Sequence, residues 1–220
     1  MAARSSRIGA QPGAAVCVIA ATAILLLAAC TQAVGPAVDQ SRTHDAFSRI
    51  EAGGGVQVTV TFGAAQPVVV HAAANLQEKV HTSVRDGVLK VEVDALVVGD
   101  SAVIEVVLPA LESVSLSGGA RIDVRNLDAE AIEVSMSDGA RATVSGSARA
   151  VTLDATSGAV ASFTNLDAQT VDVALGGGAK ADVRASATVT GSATGGAQLY
   201  ISGGASVRVN ADGGATVTSA

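Results

Sequence analysis

The fold is decided by a stretch near the middle of the chain, Ser117-Gly118-Gly119-Ala120-Arg121-Ile122-Asp123-Val124-Arg125-Asn126-Leu127-Asp128-Ala129, because its pieces recur. The Gly-Gly-Ala phrase returns as Asp138-Gly139-Ala140, Ser157-Gly158-Ala159, Gly177-Gly178-Ala179 and Gly195-Gly196-Ala197, with alanine steps of 20, 19, 20 and 18. Gly203-Gly204-Ala205 and Gly213-Gly214-Ala215 follow at steps of 8 and 10. Asn126-Leu127-Asp128-Ala129 returns 39 residues later as Asn165-Leu166-Asp167-Ala168. Ser-rich versions, Ser145-Gly146-Ser147-Ala148 and Arg184-Ala185-Ser186-Ala187, hold the same place in the other repeats. A period near 20 with two turn-like phrases marks a solenoid, whose repeats bury their apolar faces only by stacking.

Between the phrases the apolar residues alternate. Val114/Leu116, Val134/Met136, Leu153/Ala155 and Val173/Leu175 precede the repeat alanine, and Ile122/Val124, Ala142/Val144, Ala161/Phe163 and Ala181/Val183 follow it. Period two over short runs rich in Val and Thr predicts strands with one buried face. Paired glycines permit positive φ and let the chain corner sharply. Each period is then one coil whose strands pair with those of the next, about 4.8 Å away. The expected fold is all-β, a parallel β-solenoid (β-helix) with coils of about 20 residues, right-handed by the crossover rule. About five coils fit residues 112–220, a stack about 25 Å long.

Residues 46–111 alternate in the same way without the Gly-Ala phrase. Candidate strands are Val56–Phe62, Pro67–Ala72, Val80–Val84, Val88–Val93 and Val103–Leu108, with Arg85-Asp86-Gly87 as a hairpin turn. Pro109 stops the last of them. Asn75–Lys79 is the one faint helical signal. Solenoids need atypical ends, so 46–111 reads as irregular N-terminal strands of a single domain, 46–220, completed by the Gly-Ala coils of 112–220.

Composition narrows the function classes. The chain has 220 residues, a formal charge of −6, three Phe, one Tyr and no Trp. Few aromatic rings imply a thin core, and they leave no set of platforms for nucleic-acid bases. The acidic balance opposes phosphate-backbone binding; no nucleic-acid partner is expected.

The first thirty residues are an address. Arg4 and Arg7 precede an uncharged stretch that reaches Asp39 and contains the apolar run Val16–Leu27. A basic start, a short apolar middle and small residues at the end make an export signal. Leu27-Ala28-Ala29-Cys30 resembles the bacterial lipobox, which implies a lipoprotein signal peptide over 1–29, cleavage between Ala29 and Cys30, and lipid on Cys30. The other readings are a plain secretory signal and an uncleaved membrane helix over Ala14–Val34, interrupted by Thr31 and Gln32. Loss of 1–29 removes two arginines and no acid, taking the charge from −6 to −8. It also leaves Cys30 as the one cysteine, which excludes an intrachain disulfide. Residues 30–45, with Gly35-Pro36, read as a flexible tether. The expected location is the cell envelope, on the extracytoplasmic side of a bacterial membrane.

Phe47-Ser48-Arg49-Ile50-Glu51-Ala52-Gly53, the strand Gly55–Thr61, Asp86-Gly87-Val88-Leu89, and Leu108-Pro109-Ala110-Leu111 leading into Val114-Ser115-Leu116-Ser117-Gly118-Gly119-Ala120 together resemble the head GIN domain family of auto-transporter adhesins. The resemblance covers roughly residues 46–220. It implies a right-handed β-helix related in shape to pectate-lyase-like proteins, often carried by a bacterial lipoprotein, and an adhesin role.

Candidate contacts follow from the period. Arg121, Arg141 and Lys180 share one repeat position, and Asp123 and Asp182 share another, with Thr143 and Ser162 between them. Such a column could bind a polysaccharide or surface protein or hold acid/base groups; the electrostatic magnitudes favour a solvated face, on which Arg121/Asp123 and Lys180/Asp182 lie side by side on one strand. Asp128 and Asp167 read as corner residues bonding their own backbone. The nine-residue calcium repeat is not matched, and His44, His71 and His81 have no metal spacing. No phosphate loop, dinucleotide fingerprint or Ser-His-Asp order is present, so neither a cofactor nor a catalytic residue is assigned. The expected function is an envelope lipoprotein with a non-catalytic solenoid head, an adhesin or a display protein. The alternatives are a polysaccharide-active enzyme of pectate-lyase-like shape and an envelope protein that self-associates through the edge near Gly213–Ala220.

Overall fold

The computed structural model describes residues 31–32, 35–94, 97–98 and 102–220. The expected signal peptide, the Ala29–Cys30 cleavage site and the lipidation site Cys30 lie outside the described residues.

The repeat region is a parallel β-solenoid of long, cornered strands. These are β10 (Ser113–Leu116), β11 (Arg121–Met136), β12 (Arg141–Ala155), β13 (Val160–Leu175), β14 (Lys180–Ala193), β15 (Gln198–Ser202), β16 (Ser206–Ala211) and β17 (Thr216–Ser219). Breaks in pairing divide each long strand into three sides. In β11 and β12, side I pairs Arg121–Val124 with Arg141–Val144, side II pairs Leu127–Ala129 with Gly146–Ala148, and side III pairs Ala131–Met136 with Ala150–Ala155. The corner between sides I and II carries left-handed backbone, Asn126 at φ 58° in β11 and Gly146 at φ 127° in β12. Only glycine fits the latter: a Cβ there would lie 2.1 Å from the Leu127 carbonyl oxygen of the coil below.

The Gly-Ala phrase closes each coil. The alanine N–H donates to the residue three before it at Ser117, Ser137, Thr156, Gly176, Thr194 and Asp212. Both central residues have positive φ, for example 54° at Asp138 and 74° at Gly139. These are type I′ turns. The turns also stack, since Gly139, Gly158, Gly178 and Gly196 each donate an N–H to the carbonyl of the next coil's turn, at 2.9–3.1 Å. The closing alanine points inward with no room to grow: Ala120, Ala140, Ala159, Ala179 and Ala197 have zero exposure.

The interior is wholly apolar among the described residues. Every alternating position read from the sequence is buried, from Val114 to Val183. Phe163 is 1 % exposed, and the neighbouring inward column of side I is narrowed to Ala142, Ala161 and Ala181 around its level. That compensation of one ring by three methyls keeps the stack's width constant.

The N-terminal part holds two further coils and a cover. β3 (Arg49–Ala52) pairs with β10, and β4 (Gln57–Phe62) pairs with side I of β11. The turn between them, Gly53-Gly54-Gly55-Val56, has the same positive φ values at Gly54 and Gly55, and Val56 is buried in the alanine position. The repeat therefore begins at residue 49, earlier than the phrase announces, because valine replaces its alanine. β7 (Val88–Val93) stacks parallel on β3, and β9 (Val103–Leu108) parallel on β4. Beyond them the direction reverses. β6 (Val80–Arg85) is antiparallel to β7 through the Asp86-Gly87 hairpin, and β5 (Val68–Ala73) is antiparallel to β9. The faint helical signal is a single 3₁₀ turn, Gln77–Lys79.

The expected tether over residues 30–45 needs correction. Within it, β1 (Thr31–Gln32) pairs with β8 (Val97–Val98), and β2 (Ala37–Arg42) lies antiparallel to β5 along its whole length. Arg42 anchors β2 by donating to the carbonyls of Val80 at 2.6 Å and Gln77 at 3.0 Å. His71 Nδ1 meets the Asp39 carboxylate at 2.7 Å, and its Nε2 lies 3.3 Å from Glu105 as an ion-pair contact without hydrogen-bond alignment.

Candidate binding faces

Because the interior is apolar, all the chemistry lies on the three outer sides, and strand register decides which groups meet. On side I the first outward row runs Gln57–Arg121–Arg141–Val160–Lys180–Gln198–Thr216. The second runs Thr59–Asp123–Thr143–Ser162–Asp182–Tyr200–Thr218. The candidate residues Arg121, Arg141 and Lys180 thus do share a row, and Asp123 and Asp182 share its neighbour.

Lying side by side does not make Arg121 and Asp123 partners. Asp123 accepts from Arg125 Nε at 2.8 Å, not from Arg121. No ion pair among the described residues involves Arg121, Arg141 or Lys180. Arg121 and Arg125 both sit two residues from Asp123 on the same outward face, and it is Arg125, beside the corner at Asn126, whose guanidinium reaches Asp123 with two donors. The row of three cations is left exposed to solvent.

Charge is sorted by side. Over the long coils, side I carries Arg121, Arg125, Arg141, Lys180 and Arg184 against Asp123 and Asp182. Over the same coils side III carries Glu133, Asp154 and Asp172 and no base; its N-terminal rows add Arg49 and Lys90 beside Glu51 and Glu92, and β16 adds Arg208. Over β11–β14, then, one flank has an excess of cations and another carries acids alone.

Side II is the shortest, and it is a shallow polar furrow lined by Asp128, Glu130, Ser147, Arg149, Asp167 and Gln169. Asp128 and Asp167 do not serve as corners bonding their own backbone. Ser147 Oγ donates to Asp128 at 3.2 Å, Arg184 meets Asp167 at 2.7 Å, and Arg149 meets Glu130 at 3.2 Å, each across to the next coil. The positive-φ corner in this phrase belongs to Asn126.

Spacing bears on acid–base chemistry. Asp123 and Asp182 stand three coils apart, about 14 Å at the strand spacing, whereas glycosidase carboxylates stand about 5–9.5 Å apart. Tyr200 is the group that sequence reasoning passed over. It is 56 % exposed, one coil beyond Asp182 in the same row. Its position three residues after Ala197, as Asp123 follows Ala120, was the available signal.

Comparison with known proteins agrees with this architecture. The chain is similar to the crystal structure of a putative adhesin from Bacteroides fragilis, with TM-score 0.70 and 15% identity over 86% of this chain and 100% of that one. A putative adhesin from Parabacteroides distasonis is similar with TM-score 0.54 and 17% identity, covering 86% of this chain and 99% of that one. A structure described as a putative lipid binding protein, also from Parabacteroides distasonis, has TM-score 0.54 and 10% identity over 86% and 99% of the two chains. At such identities the likeness speaks for the fold. No curated protein matches the chain by sequence. The family model described as "Putative auto-transporter adhesin, head GIN domain" matches residues 46–205, most of the coil-forming region, and the chain belongs to that adhesin family.

Proposed function

We propose that the chain is an envelope lipoprotein whose β-solenoid head is a non-catalytic recognition surface for adhesion. In this reading the signal over 1–29 directs export, cleavage falls between Ala29 and Cys30, and lipid on Cys30 holds a right-handed solenoid outside a bacterial membrane. The observation that carries it is the sorting of charge onto separate flanks of an apolar stack. Ladders of outward groups suit many weak contacts spread along a long partner, which add through multivalency. They do not suit chemistry on one bond, for which carboxylates must converge. Membership of an adhesin family supports the same reading.

Two experiments test it. Replacing Cys30 by Ser is expected to abolish incorporation of a palmitate analogue and to leave an unprocessed precursor, read by mass spectrometry. Cleavage at another site with normal export would sink the lipid anchor. Display of the chain on a non-adherent bacterium is expected to confer attachment to surfaces coated with glycans or matrix proteins. No gain, with the chain folded and surface-exposed, would overturn adhesion.

One observation favours a second reading, self-association. β16 and β17 each have a single strand neighbour, β14 and β15 respectively, and Val207, Val209 and Val217 between them are only half-buried. Free strand edges over an apolar floor are templates for pairing with a second copy.

A further inference from the structure

We propose that side I binds an acidic polysaccharide, a chain carrying uronate carboxylates, laid along the axis of the stack. The inference rests on the reading of the solenoid as a recognition surface and names the chemical class it recognises.

Four features converge on that side. First, over β11–β14 side I has five cations against Asp123 and Asp182, with Arg125 and Arg184 held in ion pairs and Arg121, Arg141 and Lys180 left over, while side III of the same coils carries acids alone. A flank of one sign on an oppositely charged molecule steers and orients an anionic partner. Second, Arg121, Arg141 and Lys180 are exposed and have no carboxylate partner among the described residues, so their donors are available. Arginine in particular matches a carboxylate with two parallel hydrogen bonds.

Third, the geometry is linear. Arg121 and Arg141 are one strand spacing apart, about 5 Å, and Arg141 and Lys180 two, about 10 Å. A pyranose residue in an extended glycan has nearly the length of one strand spacing, so charges on such a chain fall in step with the row. Fourth, the adjoining row offers what sugar rings need. Thr143 and Ser162 present hydroxyls and Tyr200 a ring, more than half exposed, in that row, and Gln198 adds an amide next to Lys180 in the cation row. An aromatic face packs against the apolar face of a sugar while its hydroxyl stays in water.

Other polyanions fit less well. A nucleic acid needs several stacking rings, and Tyr200 is the only aromatic side chain exposed as far as this among the described residues. A lipid surface calls for apolar groups that insert beside the cations, and side I places hydroxyls and carboxylates there instead.

The test uses the full chain purified in detergent, with oligogalacturonate as probe, a neutral glucan of equal length, and vesicles of phosphatidylcholine with phosphatidylglycerol. Oligogalacturonate should bind, more weakly at high salt, and the neutral glucan should not. The triple variant R121Q/R141Q/K180Q should lose roughly ten- to a hundred-fold in affinity, from about two- to five-fold per exposed pair. Tyr200→Ala should lose several-fold with its salt dependence unchanged. D154N/D172N, on side III, should bind no more weakly than the parent. Melting temperatures serve as the folding control. Absence of oligogalacturonate binding, equal binding to the neutral glucan, an unaffected triple variant, or binding to vesicles in its place would each overturn the proposal. The bacterial display assay separates the two readings: attachment that survives in the triple variant leaves adhesion standing while this inference falls.

Discussion

The two ends of the stack solve the same problem differently. At the N-terminal end the outermost parallel strands, β7 and β9, are followed by β6, β5 and β2, all reversed in direction. Reversal breaks the repeat, and the added strands are tied on by side chains: Arg42 to two carbonyls, His71 to two acids. At the other end the coils only shorten. β16 and β17 keep the parallel register and the type I′ turn at Gly213-Gly214, but their inward valines are half-buried. The repeat specifies how to add a coil, whereas stopping requires residues that the repeat does not contain.

The contrast is sharpest for a charge placed inside. Val144 is 1 % exposed in mid-stack. Val144→Asp should cost more than about 3 kcal/mol, since an unpaired carboxylate there has neither water nor partner, and thermal melting should show loss of the folded state. Val217→Lys, in the last strand, should cost less than about 1 kcal/mol. It should also abolish any end-to-end oligomer on size exclusion. Equal melting of the two variants would erase the distinction between interior and end coils.

Glycine substitutions repeat the comparison at smaller scale. Gly146→Ala drives a Cβ into the Leu127 carbonyl of the coil below, which forces backbone apart and should cost several kcal/mol, upward of about 3. At Gly214 a Cβ meets nothing within 4 Å, so the cost is that of a left-handed alanine, about 1–2 kcal/mol. Denaturant titration of both variants checks the order. If Gly214→Ala proved the costlier, the terminal turn would be packed against something.

The smallest effect belongs to the N-terminal cover and depends on pH. His71 has its pKa raised above the usual 6.5, chiefly by the hydrogen bond to Asp39, with Glu105 adding to it and burial opposing. A folded-state pKa above the unfolded one contributes stability that is complete below about pH 6.5 and is lost as pH rises through the raised value. The contact is partly exposed, so the effect should stay below about 1 kcal/mol. Amide exchange in β2 should therefore quicken as pH rises beyond the effect of intrinsic chemistry, and His71→Gln should remove that excess. A wild-type excess that persists in the variant would assign it elsewhere.

Much of this was legible because solenoid geometry is periodic. Gly-Gly at positive φ leaves a visible phrase, and rows such as Arg121–Arg141–Lys180 follow from counting. What escaped was whatever breaks the count. Val56 hides the first turn, since the site at that end accepts a larger side chain than the alanine column within. Arg125 takes Asp123 from Arg121 by rotamer reach, which spacing does not encode. β2 looks like a tether in the sequence because Gly35-Pro36 and polar residues also describe a strand exposed over most of its length. Tyr200 stands at a countable position, but a total of rings in the composition carries no information on which face each one takes.

The order of the coils has a consequence for how the protein is made. The coil of β3 and β4 lies between β7/β9, which come later in the chain, and β10/β11. A polypeptide emerging N-terminus first as it is synthesised cannot complete this end until residues up to 108 have emerged and folded back over it. Until then Val58 and Val60, buried in the finished stack, have no strand on either flank. The nucleus is therefore a non-local assembly that must close a long loop before it gains contacts. Every later coil adds to a template already in place, so folding should be slow to start the stack and quick to lengthen it.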